Sequence, residues 1–405
     1  MSDRPPIRCR RTAARIAGLV QSDIRRMTRA CDAVGGINLG QGICDLPTPP
    51  VVAAAAKQAI DERQSTYSRY EGAEILRRAI ATKLARDNAI PGVDPESQVV
   101  VTVGATGAFA AACQALLDPG DEVIVFAPYY GYHLNILRVA GVAVRVVPLQ
   151  PPGWAVDAAD VEAVVTPRTR AIVLCTPANP CGKVWTRAEI AAVGAVAERH
   201  DLLLLTDEIY EYITFDRPHV SPASVGRLAE RTVTMGGFSK TFSITGWRIG
   251  YAVAPADLAG PIGLVNDLHY VCAPTPLQIG VAHGILELPA AYYRDLAADY
   301  HAKRDRLVDA VGRAGFAPHP PEGAYYLLAD FTGLGWTDAV AAARAVLERA
   351  RVAAVPGTAF DDGPVGNRLL RFCFAKEWGV LEEACRRIAT ADLGRGNGRA
   401  SGAGR

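Results

Sequence analysis

Short apolar runs alternate with Ala-rich amphipathic stretches through the centre of the chain, between about residue 95 and residue 255. The runs predict strands, and the longer stretches with helical periodicity predict helices. Buried strands separated by helices are typical of a mostly parallel sheet, because each crossover helix covers one of its faces. We therefore expect an α/β fold with a large doubly wound, mostly parallel seven-stranded sheet. The predicted strands are 99–103, 122–126, 142–147, 171–175, 202–206, 232–235 and 249–254.

The residues on both sides of this region have a different pattern. Helices are predicted at 50–60 and 72–87, and a long helical pattern at 278–311 is interrupted at Pro289. The remaining predicted elements are a strand pair around 325–331, a helix at 337–349 and a strand at 369–374. These elements favour a smaller α+β domain made from the N-terminal arm and the C-terminal part.

Four segments follow from this reading of the chain. Residues 1–50 form the N-terminal arm and part of the small domain, 51–285 the large domain, and 286–392 the small C-terminal domain. From Leu393 onward the chain is rich in Gly, Arg and Ser, so 393–405 is predicted to be a disordered tail.

Composition excludes several classes of protein. The 43 Lys and Arg residues balance 42 Asp and Glu residues, which argues against a nucleic acid partner. The uncharged stretch 98–117 is broken by glycines at its centre, so we expect no membrane span. Nine scattered cysteines without metal-ligand spacing indicate reduced thiols in the cytoplasm. The Arg-rich first 30 residues are interpreted as a basic surface arm, with a transit peptide as the alternative.

Glycines and polar residues follow the predicted strands at the edge where an open α/β sheet binds its ligands. The turn of Gly104, Ala105, Thr106 and Gly107 opens an Ala-rich stretch. Free N–H groups at a helix N-terminus favour an anion such as phosphate, although a plain tight turn is the alternative. The ring of Tyr130, after the second strand, either stacks on a flat cofactor or packs in the core.

Charged and amide side chains follow the later strands. Asn179 lies in a Pro-rich turn at 176–182, and Asp207 follows a run of leucines. A buried carboxylate costs several kcal/mol unless a cation meets it, so Asp207 implies a partner. Lys240 follows a glycine pair at a strand end, and Arg248 comes shortly after. An isolated lysine is usually a surface charge. Lys240, however, is predicted to lie at the same edge of the sheet as Asp207, Asn179 and the anion-binding turn at 104–107.

Six segments match one family's motifs. They are 38–42 (Asn-Leu-Gly-Gln-Gly), Tyr67 with Glu71-Gly72, 176–182, 207–210, 239–248 (Ser-Lys-Thr-Phe-Ser-Ile-Thr-Gly-Trp-Arg) and Arg371 within 370–372. With them the sequence resembles the pyridoxal-phosphate enzymes of the aspartate aminotransferase fold (fold type I), specifically the class I aminotransferases. The resemblance runs from about Asn38 to about Phe374.

The resemblance implies pyridoxal 5'-phosphate as the cofactor and assigns roles around its ring. Lys240 matches the Schiff-base lysine, which also moves a proton during the reaction. Asp207 would face the pyridine nitrogen and keep it protonated. Tyr210 and Asn179 would hydrogen-bond the ring's phenolic oxygen, and Tyr130 would stack on the ring.

Further matches concern the phosphate and the substrate. Arg248 and the N–H groups of Ala105 and Thr106, at the Gly104 turn, would hold the phosphate, with Ser239 a weaker candidate.

Arg371 matches the arginine that binds the substrate α-carboxylate as a planar two-point clamp. Gly42 would line the substrate pocket next to Asn179. Tyr67 matches a tyrosine that reaches the phosphate of the neighbouring subunit, which implies a homodimer with shared active sites.

Two positions depart from the family pattern. A serine that often binds phosphate three residues before the lysine is replaced by Gly237. In the bacterial aspartate-specific branch, the phosphate turn carries a lysine that reads the distal carboxylate of the substrate, and Thr106 stands at that position. A neutral or aromatic amino donor is therefore expected in preference to aspartate.

The expected function is transfer of an amino group from an L-amino acid to a 2-oxo acid such as 2-oxoglutarate. The alternative is a lyase, cyclase, replacement enzyme or oxidase on the same scaffold, such as an enzyme of specialised metabolism, because one cofactor supports several outcomes. A transcriptional regulator is disfavoured because only about forty residues precede Gly42. A dinucleotide-binding dehydrogenase lacks its glycine motif.

The remaining histidines and cysteines are given no role. His133, His269 and His283 lack metal-ligand spacing and are interpreted as surface or packing residues. Cys175 and Cys181 are interpreted as small buried groups. No metal site is expected.

Overall fold

The computed structural model of the protein describes residues 12–16, 19 and 23–394. Its helices cover most of the amphipathic stretches. The α-helices are α1 (Asp23–Ala33), α2 (Pro50–Asp61), α3 (Glu74–Asp87), α4 (Gly104–Leu116), α5 (Gly131–Ala140), α6 (Ala158–Ala163), α7 (Arg187–Arg199), α8 (Ala256–Tyr270), α9 (Thr275–Glu287), α10 (Ala290–Arg313), α11 (Ala339–Ala350) and α12 (Trp378–Thr390). The predicted break at Pro289 is confirmed, since α9 ends and α10 begins on either side of it.

The strands form three sheets. They are β1 (Ile37–Asn38), β2 (Val99–Val103), β3 (Glu122–Ala127), β4 (Ala143–Pro148), β5 (Thr169–Cys175), β6 (Leu203–Asp207), β7 (Thr232–Gly237), β8 (Ile249–Val253), β9 (Ala317–His319), β10 (Tyr326–Asp330), β11 (Val352–Ala353), β12 (Val355–Pro356) and β13 (Leu369–Cys373).

The large sheet has seven strands in the order β2-β8-β7-β6-β5-β3-β4, which confirms the predicted α/β fold. Strand β8 is antiparallel to both neighbours, and the other pairs are parallel. In the register, Cys175 pairs with Asp207 and Asp207 with Met235. The carboxyl ends of β5, β6 and β7 therefore meet at one edge of the sheet, where the candidate chemistry lies.

Both faces of this sheet are covered by apolar side chains from the crossover helices. On one face Phe109 of α4 and Leu134 of α5 pack against the strands. On the other face Trp185 and Ile190 of the α7 region pack against them. The continuous apolar runs in the sequence follow from this double burial.

The smaller part has a four-stranded antiparallel sheet in the order β12-β13-β10-β9, and β1 pairs with β11. The N-terminal arm thus joins the C-terminal elements, as predicted. Of the strand pair expected around 325–331, β10 lies in this range and its antiparallel partner β9 lies earlier, at Ala317–His319. Strand β10 also pairs with β13, which local sequence does not disclose because β13 is distant in the chain. The domain limits at residues 50 and 285 stay a prediction.

Leu393 corrects the predicted start of the C-terminal tail. Its side chain is buried in the core of the smaller part, and its carbonyl accepts a hydrogen bond from Trp336 Nε1 at 2.8 Å. Residues 395–405, like most of the basic arm, lie outside the described residues. Among the described helices, none combines the length and apolar character needed to cross a bilayer.

Candidate active site

A cavity of about 280 Å³ lies at the carboxyl edge of the large sheet, between it and strands β10 and β13. It brings together residues as distant in sequence as Ile24 and Arg371. The predicted site residues that line it are Gly42, Ala105, Thr106, Tyr130, Asn179, Asp207, Tyr210, Ser239, Lys240, Arg248 and Arg371.

Lys240 projects into this cavity from the turn after β7. Its Nζ donates to the carbonyl oxygen of Gly42 at 3.3 Å and lies 5.5 Å from the ring centre of Tyr325. Burial lowers the pKa of Lys240, because removal from water disfavours the charged ammonium. A lysine that loses its proton more readily is a better nucleophile for a carbonyl carbon.

Asp207 ends β6 and faces a histidine. Its Oδ2 lies 3.0 Å from Nε2 of His133, and its Oδ1 accepts from the backbone N–H of Ile209 at 3.3 Å. The imidazole is buried between Phe109 and Tyr130, with ring centres at 4.5 and 5.2 Å. His133 is thus a packing residue, one of the two predicted alternatives, but its contact with Asp207 was not predicted. Its acidic partner is 74 residues away, so spacing alone did not disclose the pair.

The turn between β2 and α4 forms a corner suited to an anion. Helix α4 begins at Gly104 without a side-chain cap, so the N–H groups of Ala105 and Thr106 face the cavity end. Gly104 has φ +71°, and a Cβ there would lie 2.4 Å from Arg248 Nη2. Arg248 is further fixed because its Nη1 donates to Thr245 O at 3.0 Å. A guanidinium beside a helix N-terminus is a strong site for phosphate.

Arg371 lies on β13 at the opposite side of the cavity and is buried. Its Nη1 donates to Asn179 Oδ1 at 2.9 Å, and its Nη2 to Gly40 O at 2.7 Å. The guanidinium carbon lies 4.1 and 4.4 Å from the ring centres of Tyr326 and Phe360. The plane of the guanidinium is thus held between two aromatic rings, which suits two-point binding of a carboxylate.

Two tyrosines and a glycine shape the middle of the cavity. Tyr210 Oη donates to Tyr326 Oη at 3.3 Å. Burial raises the pKa of both hydroxyls, to about 12 for Tyr326, so both stay protonated donors at neutral pH. A Cβ at Gly42 would lie 1.8 Å from Tyr326 Oη, so this position has no room for a side chain.

Three sequence predictions have other outcomes. Gly104 forms the anion turn without lining the cavity itself. Tyr67 is 80% exposed and is not among the residues that line the cavity, so its contact with a neighbouring subunit stays a prediction. At Gly237 a Cβ would lie 3.0 Å from Ile209 Cδ1 and 3.1 Å from Ile249 O, so a serine would be crowded there.

Several lining residues were missed by sequence reasoning. Among them are Ile24, Gln41, Tyr132 and Ile136. Tyr132 and Ile136 are four residues apart in α5 and so share one face of this helix, which begins directly after Tyr130. The position of α5 at the ligand edge of the sheet was the signal that could have identified them.

Comparison with known proteins identifies the family of the chain. The family described as "Aminotransferase class I and II" matches residues 34–388. The chain belongs to this family. It is 38% identical over 391 residues to the probable N-succinyldiaminopimelate aminotransferase of Mycobacterium tuberculosis, covering 93% of this chain and 98% of the relative. It is 35% identical over 355 residues to the methionine aminotransferase of Escherichia coli, covering 87% of this chain and 91% of the relative.

Solved structures give the same result. The Mycobacterium tuberculosis N-succinyldiaminopimelate aminotransferase superposes with a TM-score of 0.90 at 37% identity, covering 93% of this chain and 99% of that one. The class I fold predicted from sequence is confirmed. The protein is a pyridoxal-phosphate-dependent aminotransferase, as members of this family use that cofactor.

The donor set of the cavity fits this cofactor group by group. An amine (Lys240) suits its aldehyde, a carboxylate (Asp207) its pyridine nitrogen, and a guanidinium at a helix N-terminus (Arg248) its phosphate. Arg371 Nε has no hydrogen-bond partner among the described residues although it is buried. This unpaired donor lies where an anionic substrate would be received.

Proposed function

We propose that this aminotransferase takes the amino group of an L-amino acid with a neutral or aromatic side chain. It then passes that group to a 2-oxo acid such as 2-oxoglutarate. The observation that carries the proposal is the composition of the cavity lining. Ile24, Tyr132 and Ile136 belong to it together with Thr106, and the Lys and Arg side chains among the described lining residues are Lys240, Arg248 and Arg371.

Each of those cations is already committed to another part of the site. Lys240 is beside Gly42, Arg248 is in the anion corner, and Arg371 is held by Asn179 and Gly40. Among the described residues that line this cavity there is no further Lys or Arg, so a second substrate carboxylate buried within it would be unpaired, which is costly. Arg15 and Arg25 line the adjoining cavity, which shares Tyr132 and Ile136 with this one. A relative named as a methionine aminotransferase is consistent with a neutral side chain.

The roles of the residues follow from their positions. The bound cofactor supplies the electron sink for the reaction. Lys240 would hold it covalently, and its amine would carry a proton to and from the substrate α-carbon. Asp207, oriented by His133, would face the pyridine nitrogen. Tyr210 and Asn179 would donate hydrogen bonds to the phenolic oxygen, and Tyr130 would stack on the ring.

Binding groups surround these catalytic residues. Arg248, Ser239 and the N–H groups of Ala105 and Thr106 hold the phosphate. Arg371 orients the substrate through its α-carboxylate. Since Arg371 is fixed before the substrate binds, little side-chain entropy is lost on binding.

The active assembly is proposed to be a cytoplasmic homodimer. Leu264 and Leu268 lie one turn apart on α8 and are 57% and 86% exposed. Tyr67 is similarly exposed. Exposed apolar residues of this kind mark a surface that a partner covers. Tyr67 would then reach the phosphate in the neighbouring subunit.

Borohydride reduction of the holoenzyme tests the covalent site. The reduced protein is digested and the modified peptide is identified by mass spectrometry. Cofactor attached to Lys240 is expected, and cofactor on another lysine would overturn the assignment. Lys57→Ala, at an exposed position of α2, is the matched control and should leave the labelling unchanged.

A panel of amino donors then tests the reaction. The expected result is one equivalent of 2-oxo acid per site in the half-reaction, with larger kcat/KM for neutral or aromatic donors than for aspartate. Release of ammonia without a 2-oxo acid acceptor would instead show an elimination. A preference for aspartate would refute the proposed substrate class.

A further inference from the structure

A charged residue is fully buried behind the active-site cavity without lining it. Lys83 of α3 has no exposed surface, its Nζ is hydrogen-bonded to the carboxylate of Glu211, and it donates to Tyr251 Oη at 3.1 Å. Asn88 Nδ2 donates to the same oxygen of Glu211 at 2.7 Å. A buried ion pair is weak evidence for stability, because apolar side chains of similar volume often serve as well. Stability alone therefore does not account for this buried pair, and we looked for a role in function.

Glu211 directly follows Tyr210 in the segment that carries the acidic end of β6. The segment is a tight series of turns, in which Glu211 N donates to Glu208 O at 3.0 Å and Ile213 N to Tyr210 O at 2.8 Å. Tyr210 lines the cavity, while Glu211 points to Lys83 on its other side. Because one peptide unit joins the two residues, a shift of the Glu211 backbone also shifts Tyr210.

A second contact ties the same segment to the end of α3. The hydroxyl of Tyr212 donates to Asp87, whose carboxylate also pairs with Arg86. Lys83 Nζ lies 5.4 Å from the ring centre of Tyr212. Segment 207–212 is thus anchored to one helix on the side away from the cavity.

Tyr251 connects Lys83 to the segment that carries Lys240. A Cβ at Gly236 would lie 2.4 Å from Tyr251 Oη, so β7 rests on this hydroxyl. The Tyr251 ring centre is 5.8 Å from that of Phe238, two residues before Lys240. The Lys83 ammonium thus contacts two segments that line the cavity. Glu211 connects it to the segment of Tyr210, and Tyr251 connects it to β7 and the turn that carries Lys240.

We propose that Lys83 is a positioning residue for the transamination site. Its ammonium, bonded to Glu211 and Tyr251, holds Tyr210 and Lys240 in the relative position that the cofactor requires. This inference rests on the proposed roles of Tyr210 and Lys240. Lys83 itself touches neither cofactor nor substrate.

Lys83→Met retains most of the side-chain volume but leaves the Glu211 carboxylate buried without a cation. An unpaired buried carboxylate either draws water into its site or moves toward solvent. In both cases we expect the Glu211 backbone to shift, and Tyr210 with it. Loss of the Tyr210 hydrogen bond to the phenolic oxygen disfavours the deprotonated form of the lysine-bound cofactor. The pH midpoint of the cofactor's visible absorption should then rise.

The experiment compares the absorption midpoint, kcat and Tm of the holoenzyme with those of Lys83→Met, Glu211→Gln and the double variant. We expect Lys83→Met to raise the midpoint by about one pH unit. A decrease in kcat of about ten- to hundredfold should accompany it. The double variant should shift the midpoint no more than the larger single variant, because both changes act through one contact.

A buried carboxylate elsewhere provides the matched control. Glu122, at the start of β3 and so at the far edge of the sheet, is buried and bonded to Arg145, Thr166 and Arg168. Glu122→Gln should lower Tm while leaving the midpoint and kcat unchanged. If Lys83→Met behaves in the same way, Lys83 is only structural and the proposal is wrong.

Tyr251→Phe provides a second test should Lys83→Met fail to fold. It removes only the hydroxyl that Lys83 bonds and keeps the ring in place. A smaller upward shift of the midpoint is expected, and an unchanged midpoint would overturn the proposal. A wild-type holoenzyme with no pH-dependent absorption from a lysine-bound cofactor would instead contradict the proposed role of Lys240.

Discussion

Nε2 of His133 lies 3.0 Å from Oδ2 of Asp207, although the two residues belong to different elements, α5 and β6. The imidazole is buried and held between Phe109 and Tyr130. An N–H donated from this ring to the carboxylate oxygen fixes the direction of the carboxylate. The acidic group is therefore oriented before a cofactor binds.

This hydrogen bond predicts weaker cofactor binding in His133→Phe. The substitution keeps an aromatic ring in the packing site but removes the donor to a charged acceptor, which is worth about 1.5–3 kcal/mol. The cofactor dissociation constant, measured by absorbance titration of the apoenzyme, should rise at least about tenfold. His200→Phe, at an exposed position, should leave it unchanged. Equal affinities of His133→Phe and wild type would refute the orienting role.

Arg371→Lys should raise KM for the amino donor. Lysine retains the charge but cannot present two parallel N–H groups, nor span Asn179 and Gly40 while facing a carboxylate. We expect KM to increase about ten- to hundredfold, with a smaller effect on kcat. Cofactor absorption should stay that of wild type. A change in kcat alone would place Arg371 outside substrate binding.

Gly104→Ala should displace Arg248 from the start of α4, where the phosphate is proposed to bind. The new Cβ would meet Arg248 Nη2 at 2.4 Å, and φ +71° is unfavourable for alanine. The expected loss of stability is about 1–3 kcal/mol, measured by urea unfolding, together with weaker cofactor binding. Gly312→Ala provides the comparison, since nothing lies within 4 Å of its added Cβ in α10. Wild-type cofactor affinity in Gly104→Ala would argue against a phosphate site there.

The lowered pKa of Lys240 makes the stability of the cofactor-free chain depend on pH. Its value in the folded chain lies below the ordinary 10.5, so between the two values the unfolded chain binds more protons. The free energy of unfolding of wild type should therefore rise relative to Lys240→Met as the pH increases toward 10.5. Urea unfolding of both apo proteins across this range measures the difference. Since buried tyrosines are common to both chains, their contributions cancel, and parallel curves would contradict the shift.

Sequence reasoning was most successful where the signal is local. Each apolar run between residues 95 and 255 is long enough to define a strand, and the bounds differ from the structure by no more than two residues. The motif around Lys240 and Arg248 likewise lies within one short segment. Because parallel strands end at a common edge, the residues after them could be expected to meet.

Contacts between distant residues could not be predicted in this way. The pairs His133 with Asp207 and Lys83 with Glu211 are 74 and 128 residues apart. Asp207 belongs to a recognisable motif and Glu211 follows it, but nothing in the sequence around His133 or Lys83 identifies either as a partner. A lysine is usually exposed. Their burial becomes visible only when the sheet and helices are packed together.

The sequence by itself determined the α/β fold, the order of elements and the family, because periodicity and motifs are short-range properties. Tertiary structure decided which strands pair, that Leu393 belongs to the core, and which side chains support the catalytic groups. Those outcomes depend on close packing between elements from all parts of the chain. The energy that favours one packing over another is a sum of long-range contacts, which no local window of residues contains.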